Sequence, residues 1–409
     1  MIGAAMNLDP GVARRVLVYS SSGHALMHMM TAFYAVIVLT LALEWKLPAE
    51  QLLALYAPAT ILLGVMSLPA GWASDRFGAP AMMVLMFLGL GLSSIACGLV
   101  PAGDPWLLSA GLCGLGVFGA IYHSVGIGWI IRTAREQGHA MGVNGMWGSA
   151  GLALYGVVPG VLITLASWRA AFIVPGIVCI TLGLMLWVDL VRRRVGDRPM
   201  PARAGVQPGR REFWRVFSVL SITMALGGVI WQAVLFGAAL VFAKHVTDVL
   251  LLGLATSMIY VVSGLAQYAL GRRIIDRYPL KTTYVVASVL QIGAMLALAA
   301  GNVWLSIAGA ILSAVFSSAS GPVENILIAR YTPSRYHGLG FGAKFVVAFG
   351  AAPLAIIGIA WIREATGSLD LFFLGLAGVA TVTAAVALLL PSSDLARDAS
   401  AAPVPVAAE

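Results

Sequence analysis

Gly71-Trp72-Ala73-Ser74-Asp75-Arg76-Phe77-Gly78 joins two long apolar runs, and Gly271-Arg272-Arg273-Ile274-Ile275-Asp276-Arg277-Tyr278 joins two more. The two Asp-Arg pairs are 201 residues apart. A second set of positions repeats at nearly the same period. Arg132, His139 and Gly142 recur as Arg330, His337 and Gly340, each offset by 198 residues. Two independent loop signatures at one period argue that the chain is an internal duplication, and such repeats decide architecture before any single element does.

The composition says where this duplicated unit sits. Of 409 residues, 60% are hydrophobic and 10% are charged, with a mean hydropathy of +0.92. Soluble domains carry about 25% charged residues. The chain therefore reads as a membrane protein, neither disordered nor a soluble enzyme. A spanning helix needs about 20 mainly apolar residues. Twelve stretches qualify: 15–43, 50–71, 79–101, 105–131, 138–166, 169–191, 214–243, 248–271, 281–301, 303–329, 336–362 and 368–391. They are continuous rather than alternating, which favours helices over a barrel. The first is too long for a signal-peptide core and lacks a small-x-small cleavage site, so it reads as an uncleaved span.

Orientation follows from Lys and Arg. With the N-terminus inside, 20 of the 25 basic residues lie on the cytoplasmic side. Lys46, Arg169, Lys244 and Arg363 fall outside, and Lys344 falls within a span. The net charge of +8 is thus a topology signal, and no nucleic-acid partner is expected. The stretch from Arg192 to Arg211, rich in Arg, Pro and Gly, separates six spans from six. The expected layout is a cytoplasmic segment 1–14, a bundle 15–191, a flexible cytoplasmic linker 192–213, a second bundle 214–391 and a disordered cytoplasmic tail 392–409. Cys97, Cys113 and Cys179 lie in apolar runs and read as packing residues.

Gly71, Asp75, Arg76 and Gly78 match most of the loop signature G-x-x-x-D-R-x-G-x-[RK], so the whole chain resembles the major facilitator superfamily. The basic end of the signature is replaced by Ala79 and Pro80, and the second copy, with Asp276 and Arg277, is degraded. The resemblance implies an all-α membrane protein with twelve transmembrane helices in two pseudo-symmetric six-helix bundles. Asp75 is suited to accept hydrogen bonds from a helix N-terminus across the interface between halves, with Arg76 holding the loop. In the family this latch accompanies the state closed on the cytoplasmic side. A finer resemblance, to the bacterial fosmidomycin-resistance-like branch, rests on Gly23-His24-Ala25-Leu26-Met27-His28, Ile121-Tyr122-His123, Gly321-Pro322-Val323-Glu324-Asn325 and Tyr331-Thr332-Pro333.

Ionisable groups inside spans are expensive and are functional candidates. At 1.5 Å per residue from the nearest cytoplasmic arginine, His24, His28, His123, Glu324 and Lys344 fall about 9–20 Å deep. The resemblance implies that spans 1, 4, 7 and 10 line a central cavity. Its candidate substrate-binding or proton-coupling residues are His24, His28, Tyr122, His123, Trp231, Gln232, Glu324, Asn325 and Lys344. His24 and His28 share a helix face. They serve either proton coupling and substrate binding, since histidine titrates near neutral pH, or simple hydrogen bonding to a neighbouring helix. Glu324 either carries a proton or pairs with Lys344 on the next span.

A metal reading also exists. His24, Met27, His28, Met29 and Met30 offer donors that suit copper, although methionines cluster by chance in so apolar a chain. No cofactor and no resident metal are expected. Glycines crowd span 5 (Gly142, Gly145, Gly148, Gly151, Gly156, Gly160) and span 11 (Gly338, Gly340, Gly342, Gly350), where small residues let helices approach and slide. They resemble the antiporter signature of drug-efflux members only loosely, and Leu112 stands near the place of those members' span 4 arginine. Drug–proton antiport by the usual arrangement is therefore not expected.

No nucleotide-binding loop, H-E-x-x-H motif or nucleophile–base constellation is visible, which argues against an enzyme. The leading expectation is a monomeric secondary transporter of the bacterial inner membrane. It moves a small organic solute by alternating access, with protons as partner. A copper-like metal transporter and a non-transporting sensor of the same fold are the alternatives. Histidine and lysine in the cavity favour an anionic or amphiphilic substrate.

Overall fold

The computed structural model describes residues 10–197, 209–242, 249–333, 336–350 and 352–392. The expected disordered tail and most of the expected flexible linker fall on residues 393–409 and 198–208, which with residues 1–9 lie outside the described ones, while the first helix already begins at Pro10. Among the described residues there are helices and no strands. Each of the twelve expected stretches coincides with one helix or a broken series of helices.

Among the described residues, eight helices are long and apolar enough to cross a membrane, or ten spans if each of two bent pairs counts as one. The remaining two stretches are Val249–Leu270 and the pair His337–Gly350 and Ala352–Thr366. The bent pairs are Gln51–Val65 with Ser67–Phe77, at 44°, and Gln137–Leu154 with Val157–Leu165, at 42°. Proline explains both bends, because it has no N–H for the carbonyl four residues earlier. Pro69 leaves the Val65 carbonyl without its helical partner, and Pro159 does the same to Tyr155. The sequence shows these prolines, but its apolar runs pass through them unbroken.

Large apolar side chains such as Leu43, 83% exposed, cover the outside. A bilayer solvates such a surface, whereas water would not. Polar ties hold the ends of the first bundle. Asp189, near the end of Trp168–Val191, accepts from Tyr19 at 2.9 Å and Arg15 at 3.1 Å, fastening span 6 to span 1. At the opposite end the Trp168 indole donates to Glu44 at 2.7 Å. The first residues after span 6 also pack onto this bundle. Asp197 accepts from the Ala79 backbone N–H at 2.7 Å and from Arg132 at 3.1 and 3.2 Å. It thereby caps the helix Ala79–Gly98.

The two halves meet at the arginine-rich end through one contact made twice. Asp75, in Ser67–Phe77, accepts from the backbone N–H of Gly338 at 2.7 Å and of Leu339 at 2.9 Å. Asp276 accepts from the N–H of Gly138 at 2.7 Å and of His139 at 2.8 Å. Each carboxylate meets the first turn of a helix in the other half, where unpaired N–H groups and the helix dipole favour an anion. The acceptors are 201 residues apart and the donors 200.

The 198-residue match of His139 with His337 is therefore not the structural register. His139 gives its backbone N–H to Asp276, whereas the His337 ring bonds the Thr332 carbonyl at 2.8 Å. Such close approach requires glycine. A Cβ on Gly71 would collide with the Gly338 carbonyl, and one on Gly338 with that of Gly71. Arg76 does not cross the interface. Its guanidinium lies 5.9 Å from the Trp72 ring and 5.8 Å from that of Phe77, both in its own helix.

Candidate functional site

Between the bundles lies a cavity of about 330 Å³, lined by residues of both halves. His24, His28, His123, Trp231, Gln232, Glu324, Asn325 and Lys344 all line it. Of the candidates for this region, Tyr122 alone is absent from the lining. It is fully buried, with its ring stacked behind His24 at 4.6 Å.

The C-terminal half contributes the charges. Glu324 and Asn325 lie on Val303–Tyr331, just past Pro322. The Lys344 ammonium, on His337–Gly350, is 3.2 Å from Glu324 Oε2. It also donates to Asn325 Oδ1. Tyr284 donates to Glu324 Oε1 at 2.7 Å. Both carboxylate oxygens are thus occupied, as buried charges require.

The N-terminal half contributes imidazoles and an amide. His24 Nδ1 is 2.8 Å from the Asn144 carbonyl. A carbonyl only accepts, so Nδ1 carries the hydrogen and Nε2 presents a bare lone pair. That nitrogen faces His28 Nε2 at 3.1 Å. The Asn144 side chain donates to Tyr122 Oη at 2.6 Å, fixing the ring behind His24. Gly148 makes room for this arrangement, since a Cβ there would lie on the His24 ring.

His123 sits on a wider, π-helical turn, Tyr122–Gly126, inserted into span 4. Such turns re-aim side chains and recur at functional sites. The turn is tied to span 2 by Ser124, which donates to the Ser67 carbonyl at 2.8 Å. The His123 ring stacks on Phe345 of the other half at 4.5 Å.

Several residues of this site escaped the sequence reading. Tyr284 lies on span 9, which a cavity lined by spans 1, 4, 7 and 10 leaves out. Asn144 and Gln267 are lone amides in apolar spans, a signal that was present in the sequence. Gln267 joins the halves by donating to Ser149 at 2.9 Å. The methionines go the other way. Met27 and Met30 are fully buried in the core, and Met30 packs on Cys179, so span 1 does not present a mixed His/Met set to the cavity.

Two repeated helical bundles around a mainly apolar cavity that carries a few charged and polar groups define a multi-pass membrane protein. The chain belongs to the Major Facilitator Superfamily, whose model matches residues 21–272. Members of that family are transporters, not enzymes. The "Probable sulfoacetate transporter SauU" of Cupriavidus necator is 23% identical over 205 residues, which is 46% of this chain and 47% of that protein. The chain thus matches less than half the length of this curated relative.

Solved structures share the fold across almost the full length. The proton:xylose symporter XylE superposes with a TM-score of 0.75 at 14% identity, covering 92% of this chain and 95% of that one. The human organic anion transporter MFSD10 gives 0.73 at 15%, covering 93% and 100%. The fucose:proton symporter FucP of E. coli gives 0.73 at 10%, with the same coverage.

Proposed function

We propose that this chain is a secondary transporter that carries a small organic anion together with protons by alternating access. The observation that carries this reading is the Glu324–Lys344 pair in the cavity wall. With Glu324 ionised, the lysine is compensated and attracts no anion. A proton on Glu324 leaves the ammonium uncompensated in a poorly hydrated site, where an anionic substrate group binds far better than in water. Proton and anion therefore favour one another's binding, a coupling that is reciprocal by linkage. Sulfonate or carboxylate substrates fit this charge, in keeping with the names of the sulfoacetate and organic anion transporters above.

Asp75 and Asp276 act as latches in this reading, holding the cytoplasmic ends of the bundles together while the site is sealed from the cytoplasm. In this reading the chain sits in the bacterial inner membrane with both termini cytoplasmic, and the arginine distribution supports that orientation. The test is counterflow in proteoliposomes with a panel of small sulfonates and carboxylates, sulfoacetate first. Saturable exchange that an imposed inward proton gradient turns into accumulation is expected. Exchange of neutral sugars or cationic drugs, with none of the anions, would overturn the anion reading.

A further inference from the structure

We infer that His24, His28 and His123 form a binding site for a divalent transition-metal ion such as zinc, with a fourth coordination position open to the central cavity. The inference stands on the imidazole geometry and does not depend on the transport reading.

The three rings converge from two helices. Their centroids are 4.8 Å apart for His24 and His28, 5.4 Å for His24 and His123, and 5.2 Å for His28 and His123. One donor nitrogen from each lies within 4.8 Å of the other two. Zinc holds imidazole nitrogens at about 2.0–2.1 Å, which places tetrahedral donors about 3.3 Å from one another. Closing that difference replaces the contact between His28 Nε2 and His24 Nε2, now 3.1 Å, with bonds to the ion.

Two further observations point to a ligand. His123 is 6% exposed, and neither of its ring nitrogens has a hydrogen-bond partner. A buried imidazole with both nitrogens unsatisfied is costly, and a ligand removes the cost. His24 is oriented as metal-bound histidines are. Its Nδ1–H is given to a backbone carbonyl, which fixes the tautomer and leaves Nε2 facing the His28 ring.

The donor set names the class of metal. With Met27 and Met30 turned into the core, the three converging donors are all imidazole nitrogens, a set that suits zinc-like divalent ions. Three neutral imidazoles leave the ion's double charge uncompensated. An anion from the cavity, hydroxide or the acidic group of a solute, is the natural fourth ligand.

The test uses full-length, tag-free protein in detergent, titrated with zinc chloride by calorimetry and with cobalt(II) chloride by visible absorption. One equivalent of zinc is expected, with the intense visible bands of four-coordinate cobalt. Both signals should vanish in His123→Ala and in His28→Ala, and persist in His139→Ala. Each variant's metal-free unfolding midpoint checks its fold. Should His123→Ala fail that check, His28→Gln at the partly exposed position carries the test. Absence of saturable zinc binding to the wild type overturns the site, as does binding that survives loss of His28.

Discussion

Lys344 Nζ lies 3.2 Å from Glu324 Oε2, with Tyr284 on the other carboxylate oxygen and Asn325 on the ammonium. The pair joins two neighbouring spans of one half, so it survives any rigid rocking of the bundles. What changes it is a proton. Glu324→Gln should abolish accumulation driven by a proton gradient while leaving counterflow exchange measurable. A variant that still concentrates substrate would remove Glu324 from the coupling step.

Lys344→Met should be the more damaging change for stability. It leaves a buried carboxylate without its cation, which costs about 3–5 kcal/mol. Adding Glu324→Gln should restore most of that loss, because the unpaired charge disappears. Unfolding midpoints of the two single variants and the double variant give the coupling energy directly.

The Asp75 and Asp276 contacts each place one carboxylate on two backbone N–H groups. Hydrogen bonds to charged groups contribute about 1.5–3 kcal/mol. Asp75→Asn and Asp276→Asn should each shift the population toward opening at the arginine-rich end. Gly71→Ala should do so more strongly, because its methyl meets backbone rather than a side chain that can turn. Spin-label distances between the halves at that end should lengthen in all three. Unchanged distances would mean that packing alone holds the closure.

Gly148→Ala should displace the His24 ring and destabilise the protein by about 1–3 kcal/mol, the usual cost of overpacking. His24→Ala in the same chain removes the obstacle and should recover part of the loss. Thermal unfolding of the double variant checks this. Simple additivity would show that Gly148 matters for some other contact.

Asp197 makes a prediction about a residue the reading of a flexible linker passes over. Its carboxylate caps a helix and pairs with Arg132, whose side chain is 8% exposed. Asp197→Ala should cost about 1–2 kcal/mol, the upper range for a lost cap. Unfolding midpoints measure it, and a neutral result would make the contact incidental.

The fold was legible because a bilayer demands long apolar helices, and a duplication leaves the same Asp-Arg loop twice. The site was legible in outline for a related reason. His24, His28, His123, Glu324 and Lys344 are conspicuous where polar groups are rare, and they do meet at one cavity. Their partners were harder to see. Tyr284 looks like any membrane tyrosine until Glu324 is found beside it. The turn that re-aims His123 was not visible, because Tyr122–Gly126 carries no residue that marks a π-turn apart from a continuous α-helix. The methionines of span 1 could be read either as donors or as chance clustering, since side-chain direction decides whether a thioether faces core or cavity, and spacing alone does not give it.

The two aspartate clamps also have a mechanical meaning. They fasten the halves at two separate points on one end of the molecule, and two fixed points define an axle. While both hold, the halves can swing about the line between them, parting at the far end, but they cannot twist. Cutting one clamp leaves a single pivot, about which the halves can turn like scissors. Loss of one aspartate should therefore differ in kind from loss of both. The single variant opens the arginine-rich end unevenly, about the remaining clamp, whereas the double variant lets it part evenly.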